Sequence, residues 1–344
     1  MKKQLIQGLM FSALFCLLSC GQKEKEQQKE YELKEFQGMS LLGDSLKIPE
    51  RTEAQLAGLM ANLNEAKANF EADPSEMNFI WLGRRYAYLS DYQKAIDVFT
   101  EGLKEFPESY KLYRHRGHRY VSLRQFDNAI ADFRKAHELM PKGMMDTEPD
   151  GSPNKLNIPL SNTQFNILYH YGLAHYLKGE FEQAEQIYKE LLNNYCDNLD
   201  LFIATTDWLY MALRRQNKTD EAQKLLKNIV TEMKILETAK ELTEIANAIM
   251  LDKILDHKTE IVENDSYYKR LLMYLGELPV EDLFKTDNED VALSLATQGY
   301  GVANWYLYNG DTTKAREILD QVLGGASWAA FGYIAAEADM KRLQ

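Results

Sequence analysis

Three cysteines in 344 residues exclude a disulfide scaffold and a cysteine-rich zinc site. Eight prolines and 19 glycines leave room for long uninterrupted helices. Positive charge is in short supply: 40 Lys and Arg face 52 Asp and Glu, for a net charge of −12. That balance argues against a nucleic-acid partner, whose capture needs a basic surface that releases counterions from phosphate. Enzyme signatures are missing too. There is no Gly-x-Ser-x-Gly elbow and no phosphate-binding glycine-rich loop, and Gln298-Gly299-Tyr300-Gly301 follows no strand, so it is no dinucleotide fingerprint. The expectation is a chain that does no chemistry and holds no cofactor or metal. What is abundant is apolar surface: 45% hydrophobic and 11% aromatic residues are enough for a sizeable core and rule out wholesale disorder.

The N-terminus reads as an address. Met1-Lys2-Lys3 is a positive start, and Leu5 to Leu18 is apolar apart from Gln7 and Ser12, too short to span a bilayer but suited to a signal-peptide core. It ends Leu17-Leu18-Ser19-Cys20-Gly21, which resembles a bacterial lipobox. The resemblance implies cleavage before Cys20, acyl chains on that cysteine, and residence in the cell envelope, at the outer membrane on its periplasmic or outer face. Membrane contact is then expected through this anchor only. Gln22 to Gln37 has only Tyr31, Leu33 and Phe36 as apolar residues, too few to fold alone. The expected division is a signal peptide over 1–19, anchor and polar linker over 20–50, and a helical domain over 51–344, with Cys196 the one free thiol.

The body is a repeat. Leu56, Leu59, Met60, Leu63, Ala66 and Phe70 recur at helical spacing, and Asp73-Pro74 stops that helix. Then Gly83, Tyr86, Tyr92, Ala95, Phe99 and Pro107 are answered, each 34 residues later, by Gly117, Tyr120, Phe126, Ala129, Phe133 and Pro141. A small residue in the first helix and an alanine in the second let two helices approach closely. Aromatics fill the groove beside them, and proline ends the pair. This pattern resembles the tetratricopeptide repeat. More divergent units begin at Gly172, Tyr210 and Ala303, single helices are expected at Leu242–Met250 and Tyr267–Leu275, and Ser327–Leu343 is expected to cap the stack. The resemblance implies an all-α fold of five or six αα-hairpins wound into a right-handed superhelix.

The resemblance also implies that first helices line a concave groove. The repeat frame sends Arg84, Arg114, His115, His118, Tyr169, His170, Asp207, Trp208 and Arg214 toward it, with Lys111 one turn away. Such a groove is locally basic in an acidic protein and favours a carboxylate, phosphate or sulfate, which arginine meets with forked hydrogen bonds. The plainer alternative has Arg116 and Arg119 facing solvent and other charges paired with acids on adjacent helices. Ile80, Arg84 and His115 stand where a carboxylate clamp of this repeat family would need other residues, so that clamp is not met. His115, His118 and His170 could converge as an open zinc site, but no His-Glu-x-x-His motif accompanies them, and hydrogen-bonded histidines are expected. His175 sits at a core position.

An insert of about two dozen residues separates the second and third units, and long loops in repeat arrays tend to serve function. Its Asp146-x-Glu148-x-Asp150-Gly151 starts like a calcium loop, but Asn157 stands where a bidentate Glu is needed, so an acidic turn is expected. The function that follows is a lipid-anchored envelope scaffold binding a protein partner in its concave groove, with the insert as rim or lid. A glycan or small-anion receptor is the alternative, and a metal-dependent enzyme using the His/Arg groove is a more distant one.

Overall fold

Six of the described helices begin where a short polar side chain takes up an orphan backbone donor. Thr52 and Gln55 form a reciprocal capping box, and Asp91, Ser109, Asn162, Asn198 and Asp311 each accept from the amide three residues on. In the computed structural model, which describes residues 35–151, 154–227, 261–284 and 291–344, these caps open a series of paired helices. The expected signal peptide, Cys20 and the helix at Leu242–Met250 lie outside the described residues.

After α1 (Glu53–Ala72) come α2 (Glu76–Tyr88) with α3 (Tyr92–Glu105), α4 (Tyr110–Ser122) with α5 (Phe126–Leu139), and α6 (Thr163–Lys178) with α7 (Phe181–Asn194). They continue with α8 (Leu199–Arg215) and α9 over 219–227, then α10 (Asp265–Leu275), α11 (Val291–Tyr308) with α12 (Thr312–Leu323), and α13 (Phe331–Arg342). Five of these pairs are helical hairpins, and every one turns through a left-handed residue after its first helix: Ser90, Arg124, Gly179, Asn217 and Gly310. That conformation ends a helix and frees the chain to reverse.

Inside the hairpins the small residues do what their spacing predicts. A Cβ added to Gly117 would lie 2.9 Å from the Phe133 ring, and one added to Gly172 would lie 2.8 Å from Tyr188. Ala95, Ala129, Ala184, Ala222 and Ala315 are fully buried opposite. First helices pack on first helices, α2 on α4, α4 on α6 and α6 on α8, which builds the superhelical all-α repeat.

Two parts depart from the sequence expectation. Residues 36–47, assigned to the polar linker, form a two-stranded antiparallel hairpin, β1 (Phe36–Met39) and β2 (Ser45–Lys47). Its partners are remote in sequence: Tyr92 N donates to Gln37 Oε1 at 3.0 Å, Leu41 N to Glu337 Oε2 at 3.2 Å, and Trp328 Nε1 to Lys47 O at 2.6 Å. A segment too polar to fold alone is held by surfaces that other segments supply.

The last helix is not a lid on the end of a stack. It starts at Phe331, and Ile334, Ala335, Ala336, Glu337, Ala338, Asp339 and Met340 are buried because it packs on α11, α12 and back onto α6. The charges it buries are paired. Glu337 takes both Nε and Nη2 of Arg124 at 3.0 and 2.6 Å, and Asp339 takes Arg215 at 2.8 Å and the Tyr300 hydroxyl at 3.0 Å. With α10 and α11 against α8, the inner face of the later repeats is filled with the chain's own helices. Among the described residues no helix is long and apolar enough to cross a membrane.

Candidate functional site

The residues expected along one groove fall into three settings. The first is an open basic corner where α2 and α4 meet the insert. Arg84 donates Nη1 to the Pro149 carbonyl at 2.8 Å and also bonds the Tyr88 hydroxyl, one turn along α2. Arg114 is buried, with Nη2 on Glu148 at 2.9 Å and Nη1 on His115 Nδ1 at 3.1 Å, which makes that nitrogen an acceptor and the ring neutral. His115 stacks on Phe99 with centroids 5.7 Å apart. These groups, with Ala87, His118 and Arg119, line a cavity of about 120 Å³. Three guanidiniums face it against one carboxylate. Buried Arg114 Nε, His118 Nδ1 and Glu148 Oε2 have no hydrogen-bond partner.

The electrostatics of this corner have one origin. Burial, then the arginines beside them, hold His115 and His118 well below the ordinary imidazole pKa of 6.5. Arg119 has no carboxylate partner among the described residues, and its guanidinium lies 5.4 Å from the Tyr92 ring centroid. Burial lowers its pKa to about 10, a large displacement for a group that normally stays charged.

The second setting is covered. His118 and His170 meet with ring centroids 4.3 Å apart, and Phe331 at the start of α13 lies 5.4 and 5.3 Å from them. Tyr169 is buried beside them, its hydroxyl 3.3 Å from that of Tyr267 on α10. His170 Nδ1 is 2.5 Å from the Asn166 carbonyl, which satisfies it within its own helix. His115 is drawn to Phe99 instead, so the three histidines do not converge. Among the described residues no group of three metal-ligating side chains forms.

The third setting is core. Trp208 is 1% exposed, wedged between Tyr176 and Tyr300 at 5.1 and 6.1 Å, and does not stand on a groove wall. Asp207 is buried against Arg270 at 2.5 Å. Arg214 is pinned across α11, with Nη2 on Asn309 at 3.0 Å and its guanidinium 4.3 Å from the Tyr308 ring centroid. These side chains meet α10, α11 and the residue that follows α11. A groove open along its whole length needs an empty concave side, and this chain supplies its own filling.

Two family models match the chain as tetratricopeptide repeats, over residues 82–142 and 167–195. Those spans contain the hairpins whose glycine–aromatic contacts carry the period. The chain carries tetratricopeptide repeats. A curated relative, small glutamine-rich tetratricopeptide repeat-containing protein 2 of Saccharomyces cerevisiae, is 25% identical over 168 residues, 48% of this chain and 42% of that protein. The match thus spans under half of the relative's length. Among solved structures, a tetratricopeptide repeat protein from Parabacteroides merdae is similar at 14% identity and a TM-score of 0.44, covering 79% of this chain and 88% of that one. YrrB, described as having an unusual peptide-binding site, is similar at 13% identity and a TM-score of 0.38, covering 75% and 91%.

The insert folds back against the repeats at its described residues. Glu148 N bonds Ser161 O at 3.0 Å and Thr163 N bonds Asp146 O at 2.8 Å, which pins both ends of the acidic turn. Its acids point at repeat-two cations and not at each other: Asp146 bonds the Tyr110 hydroxyl and lies 3.9 Å from Lys111, while Glu148 pairs with Arg114. Arg119 is the site residue that the sequence reading left out of the groove, placing it toward solvent only in the plainer alternative. Its spacing of four from His115 sets both on one helical face, and that was the available signal. Arg116, one residue before Gly117, instead forks onto Asp132 with two bonds of 2.7 Å, so it belongs to the hairpin.

Proposed function

We propose that this chain is a lipid-anchored cell-envelope scaffold, tethered through Cys20, that holds a protein partner against the basic corner of its concave face. Tetratricopeptide-repeat proteins generally mediate protein–protein interaction, and a preformed rigid concavity loses little entropy on binding. The observation that carries the reading is the cluster of Arg84, Arg114 and Arg119 around the cavity where α2, α4 and the insert meet. Arginine at a concave, partly desolvated site gives directional bonds to acidic or carbonyl groups of a partner. Met144 and Met145 of the insert are exposed and offer a partner adaptable apolar contacts.

The test is an in-cell crosslink and pull-down of the tagged full-length chain beside Arg84→Glu. Arg84 is half-buried and forms no ion pair among the described residues, so reversal there spares the Arg114–Glu148 pair. A partner captured by wild type and lost from Arg84→Glu supports the scaffold; equal capture by both removes the basic corner from the interface. Incorporation of a labelled fatty acid into wild type but not into Cys20→Ala tests the anchor separately, and no incorporation into wild type sinks it.

A further inference from the structure

The basic corner carries an excess of positive charge that ion pairs among the described residues do not offset. Three guanidiniums line the cavity and one carboxylate answers them, while both histidines there are neutral. Ion pairs elsewhere in the buried interior close their accounts: Arg124 has Glu337, Arg215 has Asp339 and Arg270 has Asp207. Arg119 has no such partner among the described residues, and buried Arg114 leaves Nε unbonded. A buried cation without a counter-charge is costly, and the usual resolutions are an acid, a water network or a bound anion. Glu148 is already engaged with Arg114, Asp146 lies against Tyr110 and Lys111, and Asp150 acts on Arg84 only through space, without an ion pair.

The shape fits the third resolution. A cavity of about 120 Å³ holds about four waters, the room that four oxygens around one centre occupy. Its donors come from different directions: Arg84 from α2, Arg114 and Arg119 from successive turns of α4. A planar carboxylate is satisfied by one arginine fork, whereas donors arriving from several sides suit a tetrahedral group. Arg84 and Arg119, two cations with no ion pair among the described residues, suit an anion of more than one charge. The unbonded Glu148 Oε2 at the rim can accept the hydroxyl proton of a singly protonated phosphate.

We propose that the cavity between α2, α4 and the acidic insert is a binding site for a tetrahedral oxoanion, a phosphate or phosphate monoester, held by Arg84, Arg114 and Arg119. This goes beyond the scaffold reading, because a free anion would bind there with no protein partner present. The insert is the fourth wall, and its Pro149 carbonyl keeps Arg84 turned toward the cavity.

The experiment is calorimetric titration of the full-length chain in detergent micelles with inorganic phosphate, at constant ionic strength balanced by chloride. Saturable one-site binding is expected in wild type. Loss of charge-assisted bonds should weaken it about tenfold or more in Arg119→Gln and in Arg84→Gln. Glu148→Gln removes the competing carboxylate and should tighten it, an opposite sign that general destabilisation would not produce. Circular dichroism checks each fold, and Arg119→Lys, which keeps the charge, should recover part of the affinity if Arg119→Gln loses structure. No saturable heat in wild type, or unchanged affinity in both arginine variants, overturns the site. A phosphoserine peptide binding far more tightly than phosphate identifies a modified protein as the source, and equal affinity identifies the free anion. Neither the titration nor its failure depends on the pull-down, so the two readings fall separately.

Discussion

One substitution, glycine to alanine, should change sign with position in this chain. Gly332 lies in the first turn of α13, and a Cβ there would sit 2.8 Å from the Ala296 carbonyl carbon and nearer still to its oxygen. That neighbour is backbone in the middle of α11, so no rotamer change relieves the clash, and either α13 lifts or α11 bends. Overpacking costs about 1–3 kcal/mol, and a backbone obstacle belongs at the upper end. Alanine's helix preference offsets at most about 1 kcal/mol. The net expectation for Gly332→Ala is about 2 kcal/mol of destabilisation. Gly58 is exposed within α1, and nothing lies within 4 Å of the Cβ it lacks. There only backbone entropy and propensity act, so Gly58→Ala should stabilise by about 0.5–1 kcal/mol. Urea unfolding followed by circular dichroism measures both as shifts in midpoint at unchanged slope. A Gly332→Ala midpoint at or above that of wild type would refute the close docking of α13 on α11.

The buried histidines predict acid sensitivity. His115, His118 and His170 are pushed well below 6.5, by burial first and neighbouring arginines second. The unfolded chain takes up these protons near its ordinary pKa while the fold resists them, so stability is full above that pH. It should fall below it, by up to about 1.4 kcal/mol per pH unit for each histidine. A urea midpoint that stays flat from about pH 7.5 to 5 contradicts this. Glu337→Gln strips the charge partner from buried Arg124 and weakens the tie to Leu41, and should cost about 3 kcal/mol by the same unfolding assay. A loss within error of zero would mean that the pair contributes nothing net. Burial raises the half-buried Cys196 thiol to about 12, so iodoacetamide should label it, as located by peptide mapping, far more slowly in native protein than after unfolding. Labelling of native protein at the rate of a free thiol would contradict the buried setting.

The sequence by itself determined the repeat. Gly83, Ala95 and Pro107 return as Gly117, Ala129 and Pro141 because a helical hairpin needs a small residue at its crossing and a stop at its end. These are local requirements, written at fixed spacing. The later hairpins at α8–α9 and α11–α12 were legible for the same reason. What Trp208 and Arg214 would meet was not legible. Whether a concave face stays open depends on contacts between residues far apart in sequence, such as Phe331 on His170, Arg270 on Asp207 and Arg124 on Glu337. No periodicity encodes such pairs. The hairpin at 36–47 escaped notice on the same grounds, since its partners Tyr92, Trp328 and Glu337 lie in other segments. Arg119 illustrates the division within a single helix. Its spacing from His115 fixed which face of α4 it shares, while only the folding back of the insert across α2 and α4 turned that face into the wall of a cavity.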